Sequence, residues 1–78
     1  MALIRQNEMK KISKVRNRIH DEVTWSYSTF NDGRKKYLQI DTYGTKTREF
    51  KGSVSQSIQF DKETAEELIV MLQKEFGL

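Results

Sequence analysis

The clearest pattern in the sequence is a stripe of apolar residues near its C-terminus. Between positions 65 and 76 these residues recur three and four apart, which places them on one face of a helix. Asp61 stands where an N-cap residue belongs, and Gly77 follows the last apolar residue and is suited to end a helix. The pattern therefore predicts an amphipathic helix between Asp61 and Gly77. Its stripe consists of Ala65, Leu68, Ile69, Leu72 and Phe76.

The middle of the chain alternates between apolar and polar residues with the period of two that is typical of β-strands. Asp32-Gly33 is a strong turn signal between two such stretches, and the absence of proline leaves the strands uninterrupted. We predict an α+β fold with a three- to four-stranded antiparallel sheet, one C-terminal amphipathic helix and a single domain over residues 21–78. The predicted strands cover residues 23–30, 36–43, 47–51 and 54–60.

The first 20 residues fit neither pattern clearly, and we describe them as a basic N-terminal arm. Met9, Ile12, Val15 and Ile19 suit a loose helical stripe, but a twisted strand or a disordered segment is also compatible with the sequence. Residues 1–6 are expected to be a mobile end.

Composition narrows the class of protein. The chain has 78 residues, of which 36% are hydrophobic and 32% charged, so it has room for one domain with a small core, and a homodimer is expected. No cysteine is present and there is a single histidine, His20, which argues against disulfides, cysteine-bound zinc and histidine-rich metal sites. Neither a membrane-spanning stretch nor a signal peptide is recognisable. We expect a cytoplasmic protein without cofactor, metal, membrane partner or small-molecule substrate.

The net charge of +3 is unevenly distributed along the chain. Residues 1–20 hold six cations against one anion, and residues 33–52 hold six cations against two anions. Residues 61–78 hold two cations against five anions. Basic segments of this kind favour a polyanionic partner such as nucleic acid.

A helix packed on one side of the sheet leaves the other side open. The helix is expected to cover Leu38, Ile40 and Ile58, while Trp25 and Tyr27 are compatible with either side because strand aromatics also serve as core residues. Aromatic rings bordered by cations hold single-stranded nucleic acid by stacking its bases and pairing its phosphates. The predicted nucleic-acid-binding residues are Lys35, Lys36, Lys46, Arg48, Lys51, Trp25, Tyr37 and Tyr43.

Two further features bear on partners and chemistry. Val70 and Met71 lie off the helical stripe, and we predict that this second apolar side is the interface of a homodimer.

Asp41, Glu49 and Lys51 imitate the carboxylate and lysine arrangement of metal-dependent nucleases. Such a spacing arises easily by chance, so we predict no catalytic residues and no enzyme activity.

The stretch from Tyr37 to Leu72 resembles the positive-cofactor-four family of transcriptional coactivators and their bacterial and phage relatives. The likeness lies in residues 37–43, the basic residues 48–52, and residues 57–61 leading into the helix, about half of the chain. The resemblance implies a curved four-stranded antiparallel sheet, a dimer formed partly through the helix, and single-stranded DNA held across the sheet. It implies phosphate binding by Lys46, Arg48 and Lys51 and stacking by Tyr43.

The sequence leads to two functional hypotheses. The first is non-catalytic binding of single-stranded nucleic acid, DNA ahead of RNA, in transcription regulation. The alternative is a small protein-interaction module, such as a phage or mobile-element accessory that acts on a host protein complex. In that case the contact would be an exposed sheet edge or the Val70–Met71 side of the helix.

Overall fold

The computed structural model describes residues 1–45 and 53–78. Within them the chain forms a four-stranded sheet followed by one C-terminal helix, so the predicted α+β fold class is confirmed. The predicted strand over 47–51 lies outside the described residues. The elements are β1 (Ala2–Leu3), β2 (Val23–Asp32), β3 (Lys35–Thr45), β4 (Val54–Asp61) and α1 (Lys62–Phe76).

The sheet is mixed, with strand order β1-β4-β3-β2. β2, β3 and β4 are antiparallel neighbours, whereas β1 runs parallel to β4 and places Ala2 opposite Ile58. The backbone N–H of Ile4 also donates to the carbonyl oxygen of Gln59 at 2.9 Å. The expectation of a mobile end is therefore wrong for Ala2–Ile4, because the edge of β4 offers hydrogen-bond partners to an extended segment.

A two-residue turn joins β2 to β3. Asp32 pairs with Lys35, which leaves Gly33 and Arg34 as the loop. Gly33 has a φ of 65°, and Arg34 does not share this positive φ. A positive φ at the first central residue alone is the pattern of a type II′ turn, whose twist matches that of the two strands. The turn therefore sets the register of the whole hairpin.

α1 begins and ends where its capping residues predict. The Asp61 carboxylate accepts a hydrogen bond from the backbone N–H of Thr64 at 3.0 Å. Gly77 adopts a left-handed conformation, with a φ of 68°, and its N–H donates to the carbonyl oxygen of Gln73 at 2.9 Å. In residues 1–45 and 53–78, no helix combines the length and the apolar character needed to cross a membrane.

Residues 7–12 of the N-terminal arm run beside α1. Residues 4–22 form no helix or strand, but the N–H of Asn7 donates to the Glu67 carboxylate at 2.8 Å. Lys11 forms an ion pair with Glu75 at 3.1 Å, two helical turns further along. Between these contacts lies a groove whose lining includes Met9, Ile12, Val70 and Met71. The side of the helix that we predicted to face a partner subunit therefore borders the chain's own arm.

Apolar burial is slight in the described part of the chain. No apolar side chain there is buried, and the two buried residues are Ser57 and Thr64. Leu38 and Ile40 are half-buried, but Ile58 remains exposed. The expectation that α1 covers this apolar set is not met for Ile58, because α1 meets the sheet close to the point where it leaves β4.

The turn between β2 and β3 provides a test of the register. Gly33→Ala should lower the free energy of unfolding by about 1 kcal/mol, because a Cβ atom disfavours a positive φ. No neighbouring atom obstructs that Cβ, so the cost is conformational. Urea unfolding at matched protein concentration measures the change. Arg34→Ala is the control and should have a smaller effect; equal effects of the two substitutions would contradict the assigned turn.

Candidate nucleic-acid interface

The register of β2, β3 and β4 sorts their side chains onto two faces, because directly paired residues point to the same side of a sheet. The apolar face consists of Trp25, Tyr27, Thr29, Asn31, Lys36, Leu38, Ile40, Thr42, Gln56, Ile58 and Phe60. The polar face consists of Ser26, Ser28, Phe30, Asp32, Lys35, Tyr37, Gln39, Asp41, Tyr43, Val54, Ser57, Gln59 and Asp61.

A chain of side-chain hydrogen bonds crosses the centre of the polar face. The Gln59 amide donates to the Gln39 carbonyl oxygen at 2.8 Å, and the Gln39 amide donates to Asp41 at 2.8 Å. The Ser57 hydroxyl donates to the same Asp41 oxygen at 2.5 Å. The pairing of β3 with β4 explains the chain, because Gln39 lies opposite Gln59 and Asp41 lies opposite Ser57. These planar amides form a polar surface between the Phe30–Tyr37 pair and Tyr43.

Asp41 places a negative charge at the centre of this surface. The hydrogen bonds from Ser57 and then Gln39 lower the pKa of the Asp41 carboxyl, because they favour its ionised form. A central carboxylate repels phosphate, but it can accept hydrogen bonds from the amino groups of nucleobases. A nucleic-acid strand on this face would therefore have to place its phosphates toward the rim of the sheet.

Aromatic rings lie at both ends of the polar face. Phe30 and Tyr37 pair across the hairpin and stack with ring centroids 5.4 Å apart and an interplanar angle of 20°. Tyr43 lies toward the other end of β3, where its hydroxyl is 2.8 Å from the Ser26 hydroxyl. Tyr37 and Tyr43 are both half-buried, so each residue packs against neighbours and stays partly accessible to solvent.

The predicted cations are only partly brought together by the fold. Lys35 lies on the polar face and forms an ion pair with Asp61 at 3.3 Å. Lys36 is on the apolar face, opposite Asn31, because successive strand residues point to opposite sides. The remaining predicted phosphate ligands, Lys46, Arg48 and Lys51, lie outside the described residues.

Trp25 does not share a surface with the two predicted tyrosines. It pairs with Thr42 and therefore belongs to the apolar face, together with Tyr27, while Tyr37 and Tyr43 belong to the polar face. One continuous stacking surface that includes all three predicted aromatics is thus incompatible with the register. The structure groups Lys35, Tyr37 and Tyr43 and separates them from Trp25 and Lys36.

Phe30, Gln39 and Gln59 complete the polar face but were not predicted as site residues. A signal for Phe30 was present in the sequence, because a two-residue loop at Gly33-Arg34 places Phe30 opposite Tyr37. Gln39 follows Tyr37 by two residues on β3, and Gln59 follows Ser57 by two residues on β4, so each pair shares a face. Polar residues on strands are common on solvated faces, so their hydrogen-bonded pairing required the register between β3 and β4.

No protein-family model matches this chain, no curated protein matches it, and no solved structure matches it. The resemblance to the positive-cofactor-four family therefore stays a prediction. In the described ranges 1–45 and 53–78, no cluster of three or more histidine, aspartate or glutamate side chains is placed to hold a metal ion. Asp41 is described, whereas Glu49 and Lys51 of the nuclease-like spacing are not.

Asp41 and Asp61 predict how stability depends on pH. The pKa of Asp61 is lowered chiefly by the backbone N–H of Thr64 and that of Asp41 chiefly by Ser57, both below the ordinary value of about 3.9. Their contributions to stability are therefore complete above the unfolded pKa and are lost as pH falls through the lowered folded pKa. We expect the midpoint temperature of thermal unfolding to decrease as the pH is lowered below about 4.

Two variants make this prediction specific to the polar network. Asp41→Asn removes the ionisable group and should reduce the decrease in unfolding midpoint between neutral and acid pH. Asp21→Asn removes an exposed carboxylate that follows the N-terminal arm and should retain the decrease of the unaltered protein. An acid-induced decrease in Asp41→Asn equal to that of the unaltered protein would contradict the role assigned to Asp41.

Proposed function

We propose that this protein binds single-stranded nucleic acid, with DNA ahead of RNA, across the polar face and without catalysis. The observation that carries the proposal is the common orientation of Phe30, Tyr37 and Tyr43 on one face of adjoining strands. Aromatic side chains stack bases of any sequence, at about 1–3 kcal/mol for each base. We expect stacking at the two ends of the face, with the amides of Gln39 and Gln59 between them.

The distribution of charge supports a particular orientation of the bound strand. Asp41 at the centre disfavours phosphates there, and the ammonium of Lys35 at the hairpin end of β3 is already paired with Asp61. Lys46, Arg48 and Lys51 follow the other end of β3 in the sequence, and we propose that they neutralise phosphates there. In this proposal the bases face the sheet and the phosphates follow its rim.

The wider biological context of the proposal comes from the sequence. A cytoplasmic location and a role in transcription regulation remain expectations, the second from the resemblance to the positive-cofactor-four family. Lys36 and Trp25 are not part of the proposed interface, because both lie on the apolar face.

A fluorescence-polarisation titration tests the proposed function directly. A labelled single-stranded 20-mer of mixed sequence should bind with micromolar or tighter affinity at low salt, and binding should weaken steeply at higher salt because counterions are released. An unlabelled duplex of the same sequence should compete less well than the unlabelled single strand. Absence of binding at low salt would overturn the proposal.

Tyr37 provides a test of base stacking on the polar face. Tyr37→Leu should weaken single-strand binding by about 5- to 150-fold, equivalent to losing one stacked base. Tyr37→Phe retains the ring and should bind within about twofold of the unaltered protein. Circular dichroism of both variants controls for folding. Equal affinities of the leucine and phenylalanine variants would show that the ring does not stack on a base.

A protein-interaction module remains the second candidate, and one structural observation favours it. Among the described residues β2 is an edge strand of ten residues, and no described strand pairs with its outer side, which could therefore accept an extended segment of another protein. A strand added there would use main-chain hydrogen bonds and would not need the basic residues. This candidate takes precedence if single-stranded nucleic acid fails to bind at low salt.

A further inference from the structure

The hydrogen bonds at the centre of the polar face share one direction, and Asp41 sets it. An ionised carboxylate can only accept hydrogen bonds, so Gln39 turns an N–H toward Asp41 and its carbonyl oxygen toward Gln59. Gln59 must then present its own N–H to that oxygen. The hydrogen bonds from Ser57 and Gln39 lower the pKa of the Asp41 carboxyl, which keeps it ionised at neutral pH and the direction fixed.

This fixed direction determines which polar atoms are left for a ligand. Asp41 Oδ1 accepts from both Ser57 and Gln39, whereas no donor in the described part of the chain reaches Asp41 Oδ2. The carbonyl oxygen of Gln59 likewise accepts no hydrogen bond from residues 1–45 and 53–78. The hydrogen-bond chain therefore ends in an unused acceptor on β3 and another on β4.

The Oδ2 oxygen of Asp41 lies beside a ring that can hold a base. Asp41 pairs directly with Ser26 on β2, and the Ser26 hydroxyl is 2.8 Å from the hydroxyl of Tyr43. Directly opposite residues of antiparallel strands have Cβ atoms about 5 Å apart, so the Tyr43 side chain runs alongside Asp41. Asp41 is half-buried, which leaves part of it accessible to a base stacked on Tyr43.

The bases differ in what they bring to such an acceptor. Cytosine and adenine carry an exocyclic amino group, which donates to a carboxylate or amide oxygen. Thymine and uracil carry a carbonyl oxygen where cytosine has its amino group, and this oxygen would meet the Asp41 carboxylate as a second acceptor. Two facing acceptors gain no hydrogen bond in exchange for the water they lose, so this arrangement is unfavourable.

We propose that the centre of the polar face selects bases that carry an exocyclic amino group and discriminates against thymine and uracil. Asp41 Oδ2 accepts a hydrogen bond from the amino group while Tyr43 stacks the ring of the base. The carbonyl oxygen of Gln59 offers a second acceptor to an amino group further along the strand. The inference rests on the proposed binding of single strands, and it adds a base preference to rings that by themselves stack any base.

Cytosine and uracil are matched probes of this preference, because they share a ring and differ in the amino group that a carbonyl oxygen replaces. In fluorescence-polarisation titrations at low salt, labelled oligodeoxycytidylate should bind at least about fivefold more tightly than oligodeoxyuridylate of the same length. Equal and measurable affinities for the two would overturn the base preference and leave the proposed function standing. Absence of binding to both would overturn the proposed function, and the preference with it.

Two carboxylates of the polar face provide a matched pair of variants. Asp41→Asn keeps an acceptor for Ser57 and Gln39 but places an amide N–H at the position of Oδ2, so the preference for cytosine should disappear or reverse. Asp32→Asn removes the same charge at the exposed hairpin end, away from the hydrogen-bond chain, and should retain the preference.

The ratio of the two affinities is the readout for these variants, because each loses one negative charge and its overall affinity for a polyanion changes for that reason alone. Circular dichroism controls for folding, and the comparison of cytosine with uracil on the unaltered protein does not depend on any variant. An unchanged ratio in Asp41→Asn would refute the role of Asp41 in selecting the base.

Discussion

The register of β3 against both of its neighbours is the constraint on which the surfaces of this protein depend. β3 is the strand that pairs with both β2 and β4, and its alternation decides which side chains of all three strands share a face. A slip of one residue would carry Asp41 and its hydrogen-bond partners to the apolar side. The two-residue turn at Gly33-Arg34 therefore influences the chemistry of residues far from the turn itself.

Elements that depend on local interactions could be predicted from the sequence. Asp61 and Gly77 bound the helix because a side-chain acceptor and a left-handed glycine act within one helical turn. The alternation in β2, β3 and β4 likewise identified the three long strands, with ends that differ by one or two residues. Tyr37 and Tyr43 could be placed on the same face because both occupy odd-numbered positions of one alternating stretch.

Features that depend on pairing between distant segments could not be predicted in this way. β1 has only two residues, which is too short for any periodic signal, and it forms because β4 has an open edge. A register shift between Thr42 and Tyr43 places Val54 opposite Tyr43, whereas simple alternation along β4 groups Val54 with Ile58. The face of Trp25 was also ambiguous, because its orientation follows from the loop length of the hairpin rather than from its own strand.

The junction between β4 and α1 has a mechanical consequence. β4 ends at Asp61 and α1 begins at Lys62, so no loop separates the strand from the helix. The helix therefore continues directly from the sheet over a length of about 22 Å. If the angle at this junction is kept, a change of about 5° in the direction of β4 moves the far end of the helix, near Phe76, by about 2 Å. Small changes in sheet twist are thus amplified at the C-terminal end of the chain.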